Sequence, residues 1–348
     1  MRYVLLMAGL AALFMTIDVR SQDTLVRWEQ LPPIPDPEGF AAPFAGVSHG
    51  ALVVAGGANI PGNKWADKFT KKWYDSVYVL ERPDGAWKLV GKLPRPLGYG
   101  VCITAAEGVI CIGGSDSERH YADVFRLAWV GGSLVYEDMP PLPRPCANAC
   151  GALVGHTIYV AGGIESPTAT KAMHEFWALD LADAKPAWKE LTPWPGQERM
   201  LAVAGELGGD FYLFSGACLS AGPDGKPVRE YLKDAWRYHP GQGWTQLADL
   251  PRAAVAAPSP ALPMEQSELM IPTGDDGLNV HFEPLIHHPG FPKQSLTYHV
   301  AKNDWTSTPC PFSRGTAPVV EWLGHFVVPN GEVMPRVRTP VVWWCAVP

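Results

Sequence analysis

The sequence is poor in charge. Only 18% of its 348 residues are Asp, Glu, Lys or Arg, and it contains no basic run. With a formal net charge of -7, the chain offers no basic surface of the kind that binds nucleic acid. Glycine and proline are abundant instead, at 35 each, and 14 tryptophans are spread along the chain. Many turn residues together with many large aromatics predict a β-rich globular protein and argue against helical bundles and disorder.

Long apolar runs are also missing, except at the N-terminus. There an arginine precedes about fourteen apolar residues in MRYVLLMAGLAALFMTIDVR, whereas a bilayer-spanning helix needs roughly 20. We therefore expect residues 1–21 to be a secretory signal peptide and residues 22–348 to be exported, to the periplasm or outside the cell, without membrane insertion. Because no Ala-x-Ala site precedes Gln22, an uncleaved N-terminal anchor remains the alternative.

The seven cysteines are neither dense nor spaced as CxxC. This argues against a disulfide framework and against a zinc site. Cys102 and Cys111 flank a predicted tight turn and should face each other across a hairpin. They are either two small buried residues, which we favour, or a disulfide bridge.

A short apolar strand closed by two small residues recurs along the chain at intervals of 49 to 58 residues. Six copies of one unit predict a repeat architecture. The copies are LVVAGG at 52–57, VICIGG at 109–114, IYVAGG at 158–163, FYLFSG at 211–216, LMIPTG at 269–274 and FVVPNG at 326–331.

A second marker, an aromatic residue leading into a Leu/Pro element, follows each of the first five copies. The sixth marker stands at the N-terminus instead, as RWEQLPPIPD around Trp28. Rings of repeats are often closed by a sheet built from both chain ends. We therefore expect four strands per unit, with the aromatic element on the outer two, and a last sheet completed by the N-terminal strand.

The paired glycines, the later aromatic and the Leu-Pro-Arg element resemble Kelch repeats and cover essentially all of residues 24 to 348. The resemblance implies an all-β fold, a six-bladed β-propeller. It does not imply a function, because such rings serve both as enzymes and as interaction platforms.

Two recurrent positions are predicted to face one mouth of the propeller channel. The first is the arginine of the Leu-Pro-Arg element or its equivalent, which either binds an anionic ligand or hydrogen-bonds backbone carbonyls between blades. These residues are Arg95, Arg144, Arg199, Arg252 and Arg314. The second is the residue after each paired glycine, which is ionisable only at Asp275 and Glu332.

Glu332 directly follows an apolar strand. Partial burial there would raise the pKa of its carboxyl and prepare it for proton transfer. Arg338 lies six residues on, after a turn that contains a proline, and a hairpin can bring the two side chains together. From the residues alone, the pair is either catalytic or an ion pair that stabilises the turn.

The stretch NGEVMPRVRT, at 330–339, resembles the acid/base segment of the Kelch-type N-acetylneuraminate epimerases, the sialic acid mutarotases. Asn330, Gly331, Glu332, Pro335 and the Arg338–Thr339 pair match that pattern. FAGVSHGALVVAGGAN at 44–59 and RPLGYG at 95–100 are also similar to that family. The order of these segments differs from the family's usual order, which implies a circularly permuted member.

The resemblance implies that Glu332 is the general base and Arg338 its partner. Beyond the resemblance, we expect Arg95, Tyr99, Arg144 and Arg199 to contact the substrate. The resemblance also implies an isomerase that interconverts the α and β anomers of N-acetylneuraminate, a small-molecule sugar acid, without metal or organic cofactor.

The residues themselves leave other functions open. A non-catalytic propeller that binds a glycan or a protein is the first alternative. The sequence lacks the Asp-box repeats of a sialidase and the Tyr/His/Cys set of a copper radical oxidase. The insertion HFEPLIHHPGFPKQ at 281–294 holds three histidines, which are more often polar loop residues than metal ligands. The long insertions at 59–75 and 219–234 are predicted to shape a pocket.

Overall fold

The computed structural model describes residues 26–222, 226–264 and 267–347. Within these ranges the chain forms six four-stranded antiparallel sheets arranged as a six-bladed propeller, which confirms the predicted fold. The expected signal peptide, residues 1–21, lies outside the described ranges. No helix in the described ranges is long and apolar enough to span a membrane.

Each blade runs outward from the channel. Its innermost strand begins near the axis and its fourth strand lies at the rim. The strands are, in blade 1, Phe44–Ser48, Ala51–Ala55, Ser76–Leu80 and Lys88–Lys92; in blade 2, Val101–Ala105, Gly108–Ile112, Val124–Val130 and Ser133–Met139; in blade 3, Cys150–Val154, Thr157–Ala161, Phe176–Asp180 and Lys189–Leu191; in blade 4, Val203–Leu207, Asp210–Phe214, Ala235–His239 and Gly243–Leu247; in blade 5, Leu262–Met264, Glu268–Pro272, Gln294–His299 and Asp304–Pro309; in blade 6, Val320–Trp322, His325–Pro329, Val342–Ala346 and Trp28–Leu31.

Blade 6 is built from both ends of the described chain, as the displaced aromatic marker predicts. Trp28–Leu31 pairs antiparallel with Val342–Ala346, in the register Trp28 to Cys345. The backbone N–H of Ile34 donates to the carbonyl of Pro340 at 3.0 Å and extends the join. The closure pairs the outer edge of Val342–Ala346, to which another chain could otherwise add a strand.

A hydrophobic cluster fills each interface between neighbouring blades. The predicted aromatic marker lies on or just before the fourth strand only, not on both outer strands. In four blades the marker is a tryptophan whose indole N–H donates to a backbone carbonyl of the preceding blade at 2.8 to 2.9 Å. The accepting residue lies four positions after the aromatic marker of that preceding blade. The pairs are Trp87 to Pro32, Trp188 to Pro140, Trp244 to Thr192 and Trp305 to Ala248.

The paired small residues end each second strand with two consecutive left-handed backbone conformations. Glycine adopts these without cost, which explains the repeat. Blades 4, 5 and 6 have Ser215, Thr273 and Asn330 at the first position, at φ 55°, 75° and 58°. Their side chains hydrogen-bond neighbouring backbone, as when Ser215 Oγ accepts from the N–H of Ala254 at 2.8 Å. This bonding offsets the strain of a non-glycine residue there.

Three two-stranded hairpins, here called arms, follow the paired residues in blades 1, 4 and 6. The blade-1 arm pairs Ala58–Asn59 with Lys72–Trp73, the blade-4 arm pairs Ala217–Ala221 with Pro227–Tyr231, and the blade-6 arm pairs Glu332–Met334 with Val337–Arg338. The first two arms are the long insertions predicted to shape a pocket.

The seven cysteines are free thiols. Cys102 and Cys111 do face each other in adjacent strands of blade 2, as predicted, and they form no disulfide. Burial raises the pKa of the Cys102 thiol to about 11, which keeps it protonated and unreactive near neutral pH.

Candidate active site at the channel mouth

A closed ring of backbone hydrogen bonds surrounds the channel just before the innermost strands. In each blade one residue with a left-handed backbone donates its N–H to the carbonyl of its counterpart in the preceding blade, at 2.6 to 3.0 Å. We call these six residues the axial ring. They are Ala42, Tyr99, Asn148, Leu201, Ala256 and Thr316.

A cavity of about 510 Å³ opens above the axial ring. Five ring residues form its floor, and all three arms contribute to its walls. The volume lies within the usual range for small-molecule sites. The lining residues on the arms and on neighbouring loops are Ile60, Phe69, Lys71, Trp73, Ser115, Asp116, Ser117, His120, Pro167, Arg229, Val255, Asp275, Phe291, Gly315, Glu332, Pro335, Arg336 and Arg338.

Glu332 and Arg338 form an ion pair in this cavity. They face each other across the blade-6 arm, and Arg338 Nη2 lies 2.9 Å from Glu332 Oε1. Their side chains are 17% and 5% exposed, so the pair is largely shielded from water. Thr316 donates its hydroxyl to Glu332 Oε2 at 3.3 Å. The prediction that a hairpin brings the two side chains to the same mouth is confirmed.

The backbone fixes the position of Glu332. Gly315 and Glu332 exchange two backbone hydrogen bonds of 2.8 Å, which tie the base of the arm to the axial ring beside Thr316. Asp275 occupies the equivalent position in blade 5 and also lines the cavity, where it accepts a 2.9 Å hydrogen bond from the Tyr231 hydroxyl. Of the six post-glycine residues, Ser115, Asp275 and Glu332 line the cavity.

Four cationic side chains line the cavity in the described ranges: Lys71, Arg229, Arg336 and Arg338. Arg336 lies 4.2 Å from the centroid of the Phe69 ring and donates to the carbonyl of Lys64 at 3.0 Å. The cations come from all three arms. Because the same lining holds only three carboxylates, Asp116, Asp275 and Glu332, this mouth keeps a small positive excess in a protein whose net charge is negative.

Lys71 is held between two aromatic rings. Its Nζ lies 4.0 Å from the centroid of Tyr99 and 4.5 Å from that of Trp73. Burial lowers the pKa of Lys71 to about 8; the charge of Glu332 opposes this shift, and Arg338 and Arg229 add to it.

Tyr99 belongs to the axial ring and has φ 63°. Burial, and then the charge of Glu332, raise the pKa of its phenol far above the usual range. His120 is also buried, and its Nδ1 lies 2.9 Å from the carbonyl of Ile164. Because a carbonyl only accepts, Nδ1 carries the proton and Nε2 is an acceptor. Burial lowers the pKa of His120 and favours this neutral form.

The structure does not bring Arg95, Arg144 or Arg199 into the cavity. Each forms an ion pair with an acidic residue that precedes the third strand of its own or a neighbouring blade. Arg95 pairs with Asp123, Arg144 pairs with Glu175, and Arg199 Nη2 lies 2.6 Å from Asp234 Oδ2. Each guanidinium group is already paired with a carboxylate outside the cavity, so this geometry does not support their expected role as substrate contacts, which stays a prediction.

The other two arginines of the repeat bind backbone carbonyls. Arg252 donates to the carbonyls of Ala253 and Thr273 at 2.9 and 3.2 Å, and Arg314 donates to that of Ser313 at 2.9 Å. Hydrogen bonding to backbone carbonyls is the structural alternative that the sequence left open for all five repeat arginines.

The histidines of 281–294 do not form a metal site. Across the described ranges, no group of three or more His, Cys, Asp or Glu side chains is arranged to hold an ion. From this insertion Phe291 reaches the cavity.

Sequence reasoning missed Lys71, His120, Arg229 and Arg336. Lys71 and Arg229 lie in the insertions at 59–75 and 219–234, whose length was the available signal, and Arg336 lies in the stretch 330–339 beside Glu332 and Arg338. His120 lies in the loop after the second strand of blade 2 and carried no signal of its own.

These features define a Kelch-type propeller with a small, cationic, acid-bearing site at one mouth of the channel. A sequence profile of the N-acetylneuraminate epimerase family matches residues 6–136 and 139–276, so the chain belongs to that family. The matched ranges end before Glu332 and Arg338, so the geometry of that pair is an observation independent of the match.

Individual relatives align over part of their length. The chain is 37% identical to an N-acetylneuraminate epimerase of Yersinia enterocolitica over 135 residues, which is 34% of each chain. It is 42% identical to one of Yersinia pestis over 110 residues, 29% of this chain and 28% of that one. It is 43% identical to one of Salmonella enteritidis over 107 residues, 27% of each. The aligned stretches thus span about a third or less of these relatives.

Proposed function

We propose that this protein is a cofactor-independent sugar-acid mutarotase that interconverts the α and β anomers of N-acetylneuraminate by opening and reclosing the pyranose ring. The observation that carries the proposal is the Glu332–Arg338 pair, fixed in a cavity that three more cations line. Membership of the epimerase family and the names of the relatives support the same substrate.

The charges of the cavity suit a sugar carboxylate. Lys71, Arg229 and Arg336 bring positive charge to the mouth, and a guanidinium can hold a carboxylate through charge-assisted hydrogen bonds. Trp73 and Phe291 add apolar surface to the same walls, against which the C–H face of a pyranose can pack. Small anionic sugars therefore match the site better than neutral ones.

Mutarotation needs a proton to leave the anomeric hydroxyl and another to reach the ring oxygen. Glu332 is the group that takes the first, because its carboxylate lines the cavity and keeps one oxygen, Oε2, with only a 3.3 Å bond from Thr316. Loss of this proton makes the exocyclic oxygen a carbonyl as the ring bond breaks. The same carboxyl returns the proton when the ring recloses on the other face.

Arg338 orients the base and balances its charge. Its Nη2 binds Glu332, while its Nε and Nη1 are buried without a hydrogen-bond partner among the described residues. An unmet buried donor costs roughly 1–3 kcal/mol, so an anionic group entering the cavity would find donors that gain from pairing. The guanidinium keeps its proton throughout, so it acts by charge and position.

The test is anomerisation followed by proton NMR. Freshly released α-N-acetylneuraminate is mixed with wild-type protein, and the approach to the β anomer is compared with the buffer rate. Wild type should accelerate it, and Glu332→Gln should lower the catalysed rate by about 100-fold or more. Glu321→Gln is the matched control, because Glu321 lies in the same blade at the opposite mouth and carries the same charge.

Equal rates in buffer and with wild type would refute the proposal. If the protein then still bound the sugar acid, the non-catalytic binding module would be the better account. If wild type accelerated anomerisation and Glu332→Gln did so at the same rate, the assignment of Glu332 as the base would be wrong.

We further propose that the protein is exported and that residues 1–21 are removed. The short apolar run after one arginine supports this, and that run lies outside the described residues. The mass of the protein recovered from the cell envelope fraction checks it. Loss of about the first 21 residues is expected, and a full-length mass in the membrane fraction would favour the uncleaved anchor.

The circular permutation also remains a prediction, which an alignment of the complete chain with a relative would test.

A further inference from the structure

The proposed reaction requires a second proton-transfer group, and the following inference rests on that proposed function. While Glu332 removes the proton of the anomeric hydroxyl, the ring oxygen must gain one, or it leaves as an alkoxide. General acid catalysis of such a step contributes about 10²- to 10⁴-fold. The donor must line the same cavity as Glu332 and must be able to lose and regain a proton.

Most cavity groups fail one of these requirements. Arg229, Arg336 and Arg338 do not release protons near neutral pH. The proton of His120 is held at Nδ1 by the carbonyl of Ile164. The Tyr99 phenol is a poor donor, because burial and the charge of Glu332 raise its pKa far above the usual range.

Lys71 meets both requirements. Its Nζ stands over the faces of Tyr99 and Trp73, at 4.0 and 4.5 Å, and it makes no hydrogen bond or ion pair within the part of the chain that the structure describes. The ring faces hold the ammonium in place without occupying its N–H groups. Those groups are therefore free to meet a ligand in the cavity.

Charged groups around Lys71 affect the pKa of its amine. Glu332 and Arg338 face it from the blade-6 arm, Arg229 from the blade-4 arm and His120 from the loop of blade 2. Lys72, the next residue along the chain, instead stacks on Tyr74, with Nζ 4.7 Å from the ring centroid. With its pKa lowered to about 8 by burial, Lys71 can exchange a proton near neutral pH.

We propose that Lys71 is the catalytic acid that protonates the ring oxygen, opposite Glu332 as the base. In ring opening, the bond between the anomeric carbon and the ring oxygen breaks and its electron pair goes to that oxygen, which takes a proton from the Lys71 ammonium. At the same time the anomeric hydroxyl gives its proton to Glu332 and becomes the ketone of an open-chain 2-keto acid. Reclosure on the opposite face reverses both transfers, so each group regains its starting state.

The test compares Lys71→Arg, Lys71→Met and wild type in the NMR assay, after subtraction of the buffer rate. Arginine keeps the charge and the aromatic contacts but cannot give up a proton. Both variants should lose about 100-fold in kcat, with a much smaller change in KM. Wild-type kcat should fall as the pH rises through about 8, and the residual rate of Lys71→Arg should lack that fall. Lys72→Met is the control, because Lys72 is exposed and outside the cavity lining.

Each outcome separates this inference from the proposed function. An active wild type with a Lys71→Arg variant of equal kcat would overturn the role of Lys71 alone, since charge would then suffice. A wild type that does not accelerate anomerisation would refute the mutarotase itself. Borohydride added with the substrate should leave the mass of the protein unchanged. A reduced adduct on Lys71 would also overturn the inference, because the amine would then form a covalent imine with the keto acid.

Discussion

The two mouths of the channel are built from the same six innermost strands, yet they differ in chemistry. The mouth above the axial ring holds about 510 Å³ of space walled by three arms, and its lining carries four cations and the three carboxylates of Asp116, Asp275 and Glu332. The opposite mouth encloses about 180 Å³, and its lining is mostly apolar, with Glu206 and Glu321 as its charged residues in the described ranges.

The difference follows from the lengths of the segments that connect the strands at each mouth. At the opposite mouth the first and second strands are joined by tight hairpins, such as the one at His49–Gly50, where positive φ values leave little freedom for added chain. At the arm-bearing mouth the second and third strands are joined by longer segments that extend over the ring. The ring thus supplies rigidity at both ends, and the arms supply the chemistry at one.

The largest effect is expected from deletion of the closing strand, because the whole ring, and both of its mouths, should then be lost. A chain beginning at Asp36 lacks Trp28–Leu31, the fourth strand of blade 6, and leaves Val342–Ala346 unpaired on one side. We expect it to lose the cooperative thermal transition followed by circular dichroism. A chain beginning at Val26 keeps this strand and should melt as wild type. A full transition in the shorter chain would show that the ring does not depend on this closure.

The next effect is confined to the arm-bearing mouth. Arg338→Met removes the counter-ion that orients Glu332, and the anomerisation rate should fall by about 10²- to 10³-fold. Arg336→Met should act mainly on KM, by about tenfold, because Arg336 lines the cavity but does not contact Glu332 within ion-pair distance. Equal losses of kcat in the two variants would contradict the distinction between a base-orienting and a substrate-attracting guanidinium.

A smaller effect links function to stability. The folded-state pKa of Lys71, about 8, lies below its usual value of 10.5, so the folded protein bears a cost for holding the charged amine. This cost is fully present below pH 8 and is relieved as the pH rises through the interval from 8 to 10.5. Lys71→Met should therefore raise stability at pH 7 by about 1–3 kcal/mol, and the gain should shrink as the pH rises from 8 and be lost above 10.5.

Denaturant unfolding at several pH values checks this prediction. Lys72→Met, which removes the exposed lysine next to Lys71, should change stability by less than about 0.5 kcal/mol at every pH. A loss of stability in Lys71→Met at pH 7 would indicate that its contacts with Tyr99 and Trp73 outweigh the burial of its charge.

The smallest effect is expected at the opposite mouth. Glu206→Gln should change neither the anomerisation rate nor, beyond about 0.5 kcal/mol, the stability. A tenfold loss of rate in this variant would mean that the opposite mouth takes part in the reaction.

The blades and their closure could be predicted from the sequence because they depend on residues with special conformations. The paired glycines occupy left-handed positions that few other residues accept, and Trp28 marks the missing fourth strand. The pairing of Glu332 with Arg338 could also be predicted, because a six-residue separation across a short turn leaves few alternatives.

Three features of the site and its surroundings could not be predicted. The axial ring is held by backbone groups, so residues as different as Ala42, Tyr99 and Thr316 serve in it and leave no sequence pattern. The ion pairs of Arg95 with Asp123 and Arg199 with Asp234 left no local signal, because the partners are 28 and 35 residues apart. Lys71 acquires its properties from three separate arms, which no local pattern records.

The most direct test of the central claim is magnetisation exchange at equilibrium. N-acetylneuraminate is left to reach its anomeric equilibrium, and two-dimensional exchange NMR is recorded with wild-type protein and with Glu332→Gln. Our account predicts exchange cross-peaks between the α and β signals with wild type and none above the buffer level with the variant. Cross-peaks of equal intensity in the two samples, or none in either, would contradict it.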